Sequence, residues 1–573
     1  MAGAAPDESV LEKVTGVIPA PDTCAEPTEA TAEPTQPTQP TRPARPEAPA
    51  RPDQARRVRG LGFWAMVGRH RPFAVVLTVG ALLRVVTLLG YRPAMWFNDS
   101  FDYLHAAMRP YPHPIRPSGY SFFLMALRPF HSFALVVTAQ HLMGLAMAVM
   151  IYALLRQRFS LPGWGAALAT VPVLLDAYQI QLEHVVLSDV PFTFLVVSAV
   201  TLLLWWTRPS WKVGAAVGLI LGFATLTRSV GMPVLAAVLA FMLVRRMPWR
   251  VVTAMVTVCA VPLLAYMGWY QSSHGKFTMT ESSGIFLFAR VYKFADCDKI
   301  KPPVEEMYLC VLDRHRLPFS QDGIWNRRSP LLRNEPERFT PRQNGLAGDF
   351  SKRAILAQPD DYLKVMGGDF FRVFRWNRTV FPDWATYAQY EFSPQSAALP
   401  EWRMSRDITA AQEAAHYEQG RARPKIVEPF AGVMRGYQDH VFLRGTLLGV
   451  ILLVGLAGLA AFWRRIGGAA LLPWITAVGL LLAPAATAEF DYRYVLPTVP
   501  LACLAAAMTF TPGARERLSR GLRALRRRGR TGVESESEAK VPEPVGASPV
   551  PVPAGPPGVA RVAAPDPGRR HRH

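Results

Sequence analysis

The chain has 573 residues, half of them hydrophobic, and a formal net charge of +20. Its mean hydropathy of +0.12 comes from long apolar runs alternating with polar loops and tails, a pattern that excludes an ordinary soluble α/β protein. The positive charge sits in the tails and in short loops between apolar runs, which is the distribution expected beside a membrane rather than against nucleic acid.

Residues 1–60 are Pro- and Ala-rich, cannot bury a core, and read as a disordered cytoplasmic tail. The first apolar run begins only near residue 72, so no cleavable signal peptide is expected. A hydrocarbon core of about 30 Å needs about 20 mostly apolar residues per helix. About ten such windows follow, at 72–91, 133–155, 162–180, 189–206, 213–227, 230–244, 251–270, 441–462, 469–487 and 494–511. The predicted fold is an all-α polytopic membrane protein, with 61–270 as a first transmembrane module and 441–511 as a second. With the N-terminus inside, every predicted inner loop carries at least two basic residues, among them Arg156, Arg158, Arg245, Arg246, Arg464 and Arg465. Both tails are then cytoplasmic, and 92–132 and 271–440 lie on the extracytoplasmic side.

Within 92–132, the run Phe122–Leu127 reads as a helix along the membrane surface. The 271–440 segment is long enough for a loop domain that is α with a little β. Lys276–Phe294 suggests a strand or two, and Tyr362–Trp376 an amphipathic helix. Cys297 and Cys310 share this segment, where a disulfide can persist, and a bridge between them is the preferred reading over two free thiols. Cys259 and Cys503 fall in spans and read as packing residues. Residues 512–573 form a basic, Pro-rich tail in which Arg515–Arg530, with interleaved leucines, fits the surface of an anionic inner leaflet.

Chemistry is concentrated just past the first span, in Asn98-Asp99-Ser100-Phe101-Asp102-Tyr103. Helix capping by Asn98 or Asp99 explains one acid; Asp102, three residues on and on the same helical face, is left over. Asp99 is the preferred general base, since a carboxylate at the mouth of a helix bundle can reach an acceptor hydroxyl. Arg84, inside the first span, and Arg116, Arg228 and Arg493, near the outer surface, run against the positive-inside trend and invite a phosphate. Salt bridges to Asp99, Asp102, Asp189, Glu489 or Asp491 are the plainer account of any single one. Glu183, His184 and Asp189 cluster between the third and fourth spans, although Asp189 with Pro191 also suits a helix start. Asp176 is a possible packing partner for Arg84, and Glu281 is a weaker polar candidate. No metal, Walker or dinucleotide motif is present in the sequence, and no cofactor is expected.

These residues resemble the GT-C superfamily of polyprenyl-phosphate-sugar-dependent glycosyltransferases, in particular the protein mannosyltransferase group. The resemblance rests on Arg84, NDSFDYLHAA at 98–107, RPSGY at 116–120, LSDVPFTF at 187–194, LTRSVGMPVL at 226–235 and DYRYVLPTVPL at 491–501. It implies an inverting transferase of cell-envelope glycan or glycoprotein synthesis, with Asp99 in the position of the catalytic acid. It also implies a donor sugar on a polyprenyl monophosphate held near the arginines, and a glycan, lipid or protein acceptor near Tyr103, Tyr120, Glu183, His184 and Asp189. The sequence departs from a tight pair of adjacent acids, because Asp102 stands three positions from Asp99. A transporter or lipid flippase would place charge at mid-bilayer on broken helices. A membrane scaffold protein would leave the outer acids and arginines without a role.

Overall fold

The first long apolar run folds as helix α1, Arg71–Gly90, and ends in the two-residue strand β1, Tyr91–Arg92. The computed structural model describes residue 68 and residues 70–511, apart from 311–318, 334, 336 and 467, all within one compact unit. Both Pro-rich tails, and with them the basic stretch Arg515–Arg530, lie outside the described residues, as do the side chains of Arg464 and Arg465.

Each of the ten apolar windows is helical, nine as a single helix and the third as two. Among the described helices, three are long and apolar enough to cross a membrane: Arg71–Gly90, Phe133–Arg158 and Trp249–His274. A fourth candidate is the pair Phe430–His440 and Gly445–Ala461, bent by 59°. The others, including Gly163–Leu175, Asp189–Trp205, Trp211–Thr227, Gly231–Val244 and Leu471–Thr487, are shorter apolar helices. The chain is a mostly helical, multi-pass membrane protein.

The third window is broken. Helix Gly163–Leu175 stops at Asp176, whose carboxylate accepts from the amides of Tyr178 and Gln179 and so starts a second helix, Ala177–Glu183. Asp176 therefore caps a helix and does not pair with Arg84, because its oxygens are already satisfied by backbone donors.

Elsewhere small residues set the packing. Helix Trp211–Thr227 lies along Trp249–His274. A methyl group on Gly214 or Gly218 would stand 2.4 Å from the Val251 carbonyl oxygen or 2.2 Å from that of Met255. A stripe of glycines four residues apart lets the two backbones touch, which is how apolar helices gain dispersion contacts inside lipid.

The 271–440 segment has two parts. Its first half carries its own core, in which Ile285, Phe288 and Tyr292 pack with Phe350 and Ala354. That core is helical: residues 283–291 form a helix, not the expected strands, with Ile285, Phe288 and Val291 buried along one side at helical spacing. A disulfide joins Cys297 to Cys310. The amphipathic helix expected at 362–376 forms over Pro359–Arg372. The second half folds back onto α1 and its neighbours. Lys425–Ile426 pairs antiparallel with β1, in the register Tyr91↔Ile426, and Phe430–His440 packs on α1.

Gly119 begins the helix Gly119–Leu127, and a methyl group there would lie 2.5 Å from the Leu226 carbonyl carbon. Gly119→Ala is expected to push that helix away from Leu226–Thr227. Thermal unfolding of the purified protein should show a loss of about 1–3 kcal/mol.

Candidate active site

Helix Asn98–Met108 follows an extended Phe97, whose amide donates to the Ser100 hydroxyl at 2.9 Å. Ser100 thus serves the helix start, and neither Asn98 nor Asp99 does. Asp99 is free for other partners, and it is 8% exposed.

Arg116 grips Asp99 with both terminal nitrogens, Nη2 to Oδ1 at 2.6 Å and Nη1 to Oδ2 at 2.8 Å. Its Nε donates to Asp102 Oδ2 at 3.0 Å, so the two acids on one helical face share one guanidinium. Arg493 adds a third contact, Nη1 to Asp99 Oδ2 at 2.6 Å. The chain brings these together from positions nearly 400 residues apart.

Arg493 is held in turn by Asp491, at 3.0 Å from Nε, and lies over the ring of Phe97 at 4.5 Å. Asp491 also accepts from the Tyr390 hydroxyl. Arg228 pairs with Asp189 and lies 5.3 Å from the centre of the Tyr494 ring. Its Nη1 is 3.5 Å from Ser188 Oγ, which bonds the Tyr103 hydroxyl at 2.8 Å. Arg116 in turn lies over the Tyr103 ring. Three arginines, four aspartates and three tyrosines thus form one lattice.

Electrostatics follow from that lattice. Burial pushes the Asp99 carboxyl up, but Arg116, Arg493 and Arg228 outweigh it and hold the group at about 2. Asp99 is therefore a firmly ionised and weak base while both guanidinium groups face it. Glu489, four residues before Arg493, is the opposite case: burial, then the Asp491 charge, push it up to about 8. A raised carboxyl leaves the folded state most favoured below the ordinary value of 4.5, and that advantage is lost as pH rises through about 8. Glu489→Gln is expected to flatten this decline, which unfolding curves between pH 4.5 and 8 would read.

Three expected site residues belong to a second, fully buried network. Arg84 uses all five of its N–H groups. Nε and Nη2 donate to Glu183 at 2.7 and 2.8 Å, Nη1 to the carbonyls of Gly80 and Leu174, and Nη2 also to Val173. No donor of Arg84 is left over for a phosphate in this arrangement. Glu183 further accepts from His141 and Gln179, at 2.9 and 3.1 Å. His184 bridges His141 and the Tyr91 carbonyl. Glu183 and His184 are both 0% exposed and cannot touch an acceptor in this arrangement. Tyr120 is likewise buried, under Tyr103, with its hydroxyl on Gln140. Glu281 ties its loop to Pro114 through its amide and pairs with Lys276, apart from the lattice.

Tyr390, Ser188, Tyr494 and Phe97 were not singled out from the sequence. Tyr494 and Ser188 stand inside the quoted motifs, whereas Tyr390 carries no local signal and arrives through the 271–440 segment. Among the described residues, no group of three His, Cys, Asp or Glu side chains is placed to hold a metal ion.

Residues 117–269 match the family described as dolichyl-phosphate-mannose-protein mannosyltransferase. This segment is a glycosyltransferase domain of that family. The match bears out the resemblance read from the motifs, and the mannosyltransferase-family segment contains Arg228, Asp189 and Tyr120 but neither Asp99 nor Arg493. No curated protein matches the chain. Among solved structures, the apo oligosaccharyltransferase of Archaeoglobus fulgidus is similar at 12% identity and a TM-score of 0.32, over 79% of this chain and 52% of that one. The same archaeal enzyme, AglB, in complex with an inhibitory peptide and a dolichol-phosphate gives 13%, 0.32, 79% and 52%. ArnT from Cupriavidus metallidurans bound to undecaprenyl phosphate gives 12% and 0.31, over 77% of each chain. The chain spans about half the length of the archaeal enzyme. Overlays this loose carry no residue-by-residue correspondence.

Proposed function

We propose that the protein is an inverting glycosyltransferase that moves a sugar from a polyprenyl-phosphate carrier to an acceptor hydroxyl on the extracytoplasmic face of the membrane. The observation that carries this reading is Asp99 clamped between Arg116 and Arg493, with Arg228 beside them. A buried carboxylate held by several guanidinium groups can exchange partners when a phosphate enters. The donor's phosphodiester offers the same planar fork two charged oxygens, as the carboxylate does, and the phosphate monoester that leaves offers three oxygens and more charge.

In the proposed reaction the acceptor oxygen attacks the anomeric carbon as its proton passes to Asp99. The bond from that carbon to the phosphate oxygen breaks, and the electron pair leaves with the polyprenyl phosphate. Arg116, Arg493 and Arg228 stabilise the developing phosphate charge, which counts most where water is excluded. As they turn to the donor, Asp99 loses the cations that depress its basicity. Donor binding thereby prepares the base. Asp102 keeps Arg116 aligned through Nε and acts by positioning.

A transporter or flippase is less well supported. The one buried charge cluster along the first span, Arg84 with Glu183, is neutralised and closed. A membrane scaffold would have no use for three arginines and Asp99 gathered in one lattice. Incubation of the purified chain with polyprenyl-phosphate sugars and candidate glycan, lipid or peptide acceptors tests the reading. Release of lipid phosphate together with an inverted glycoside is the expected result. No turnover of any such donor, with export of a lipid into vesicles instead, would replace it.

A further inference from the structure

A second cationic cleft shares none of the lattice residues. It lies where Arg372, Arg375 and Arg378 of the 271–440 segment meet Leu448 of helix Gly445–Ile466 and Leu496 and Val499 near the last helix. None of the three arginines is fully matched. Arg372 reaches Asp369 only at 3.8 Å, and its buried Nε makes no hydrogen bond. Arg375 is exposed and its side chain has no ion pair or hydrogen bond among the described residues. Arg378 lies on the rings of Tyr178 and Tyr492, at 3.6 and 4.9 Å, again without an ion pair there.

The acid lining the cleft, Asp176, has both oxygens occupied by the amides of Tyr178, Gln179 and Leu443. The same stretch of chain as the arginines carries exposed apolar side chains, with Phe371 69%, Trp376 54% and Trp384 63% exposed. Leu447, Val450 and Leu453 on the adjoining helix are exposed as well. Tryptophans and arginines together above a bare aliphatic helix face are the composition of a membrane–water interface.

We infer that this cleft binds the phosphate headgroup of an anionic phospholipid, with its acyl chains lying along the exposed face of Gly445–Ile466. Charge complementarity selects this occupant. Arg375 and Arg378 have no ion pair among the described residues and Arg372 only a long one to Asp369, so the cleft can take a further anion, and the apolar face beside it suits the chains that come attached to that anion. The site does not depend on the proposed transferase reaction. It touches it at one place, since Tyr492 lines the cleft and precedes Arg493.

The test uses the full chain, delipidated in neutral detergent and titrated with phosphatidylglycerol, phosphatidylcholine or inorganic phosphate, with binding read by native mass spectrometry. Phosphatidylglycerol is expected to bind one per chain, in preference to phosphatidylcholine, and to raise the melting temperature. Each arginine lost should weaken binding by about fivefold, so Arg375→Gln alone should show about fivefold and Arg375→Gln with Arg378→Gln about 25-fold. Arg375 is exposed, so the single variant keeps the fold and decides the outcome if the double variant does not. Equal binding of phosphatidylcholine would reduce the cleft to an apolar contact and overturn the inference. Binding of inorganic phosphate with no lipid preference would make it a free-anion site, which also overturns it. An unchanged affinity in Arg375→Gln would do the same.

Discussion

Asp99→Asn is expected to abolish sugar transfer, lowering turnover by at least about 10²-fold, the smallest usual loss when a general base is removed. Asparagine keeps the shape of the side chain but accepts no proton. Two effects compete in donor binding. The variant loses an anion that Arg116 and Arg493 now hold at 2.6–2.8 Å, which frees both for the donor phosphate. It also loses a clamp that orders those arginines. The second effect is limited, because Asp491 and Asp102 still hold the two Nε atoms, and the two effects largely offset each other. Donor affinity should therefore stay near that of the unaltered protein while turnover collapses. Equilibrium binding of a polyprenyl-phosphate sugar, measured beside product formation, separates the two. Full activity in the variant would remove Asp99 from the chemistry. An equal fall in donor binding would make it a binding residue. Asp102→Asn, which breaks a single contact, should act mainly by misaligning Arg116 and cost less.

The second large effect concerns stability. Glu183→Gln leaves Arg84, 2% exposed, with no carboxylate partner in the interior. Stranding one member of a buried ion pair costs about 3–5 kcal/mol, and thermal unfolding in detergent should register a loss of that size. The double variant Arg84→Met with Glu183→Leu removes both charges and fills similar volume, so it should recover much of the loss. A fall below about 1 kcal/mol in Glu183→Gln, the range of exposed pairs, would mean that water reaches Arg84 and that the network is not closed. Activity of the double variant carries further information. If transfer survives there, Arg84 takes no part in holding the donor phosphate.

Arg84 also shows how far sequence reasoning reaches. An arginine within an apolar span demands a partner, and that much is legible from residue type and position. Two uses were open, phosphate binding and ion pairing. The choice fell to Glu183, 99 residues away, which fixes Nε and Nη2 while main-chain carbonyls of the third apolar window close the rest. Asp176 was legible as a buried acid, but its role as a cap depends on a helix break that apolar periodicity does not mark. The segment at 276–294 read as strand because its Phe and Val content suits either state; helical burial of Ile285, Phe288 and Val291 against Pro341–Ala357 decided it.

Local order along the chain was enough to mark ten apolar windows, the acids after the first of them, and the motifs that resemble a mannosyltransferase. Each of those depends on residues close together in sequence, where hydropathy and spacing carry the signal. The pairing of Asp99 with Arg116 and Arg493, the separation of that lattice from the closed Arg84–Glu183 network, and the arrival of Tyr390 are long-range facts. They depend on which helices pack and in what register. A guanidinium can satisfy any of several acids equally well until packing brings one within hydrogen-bond reach.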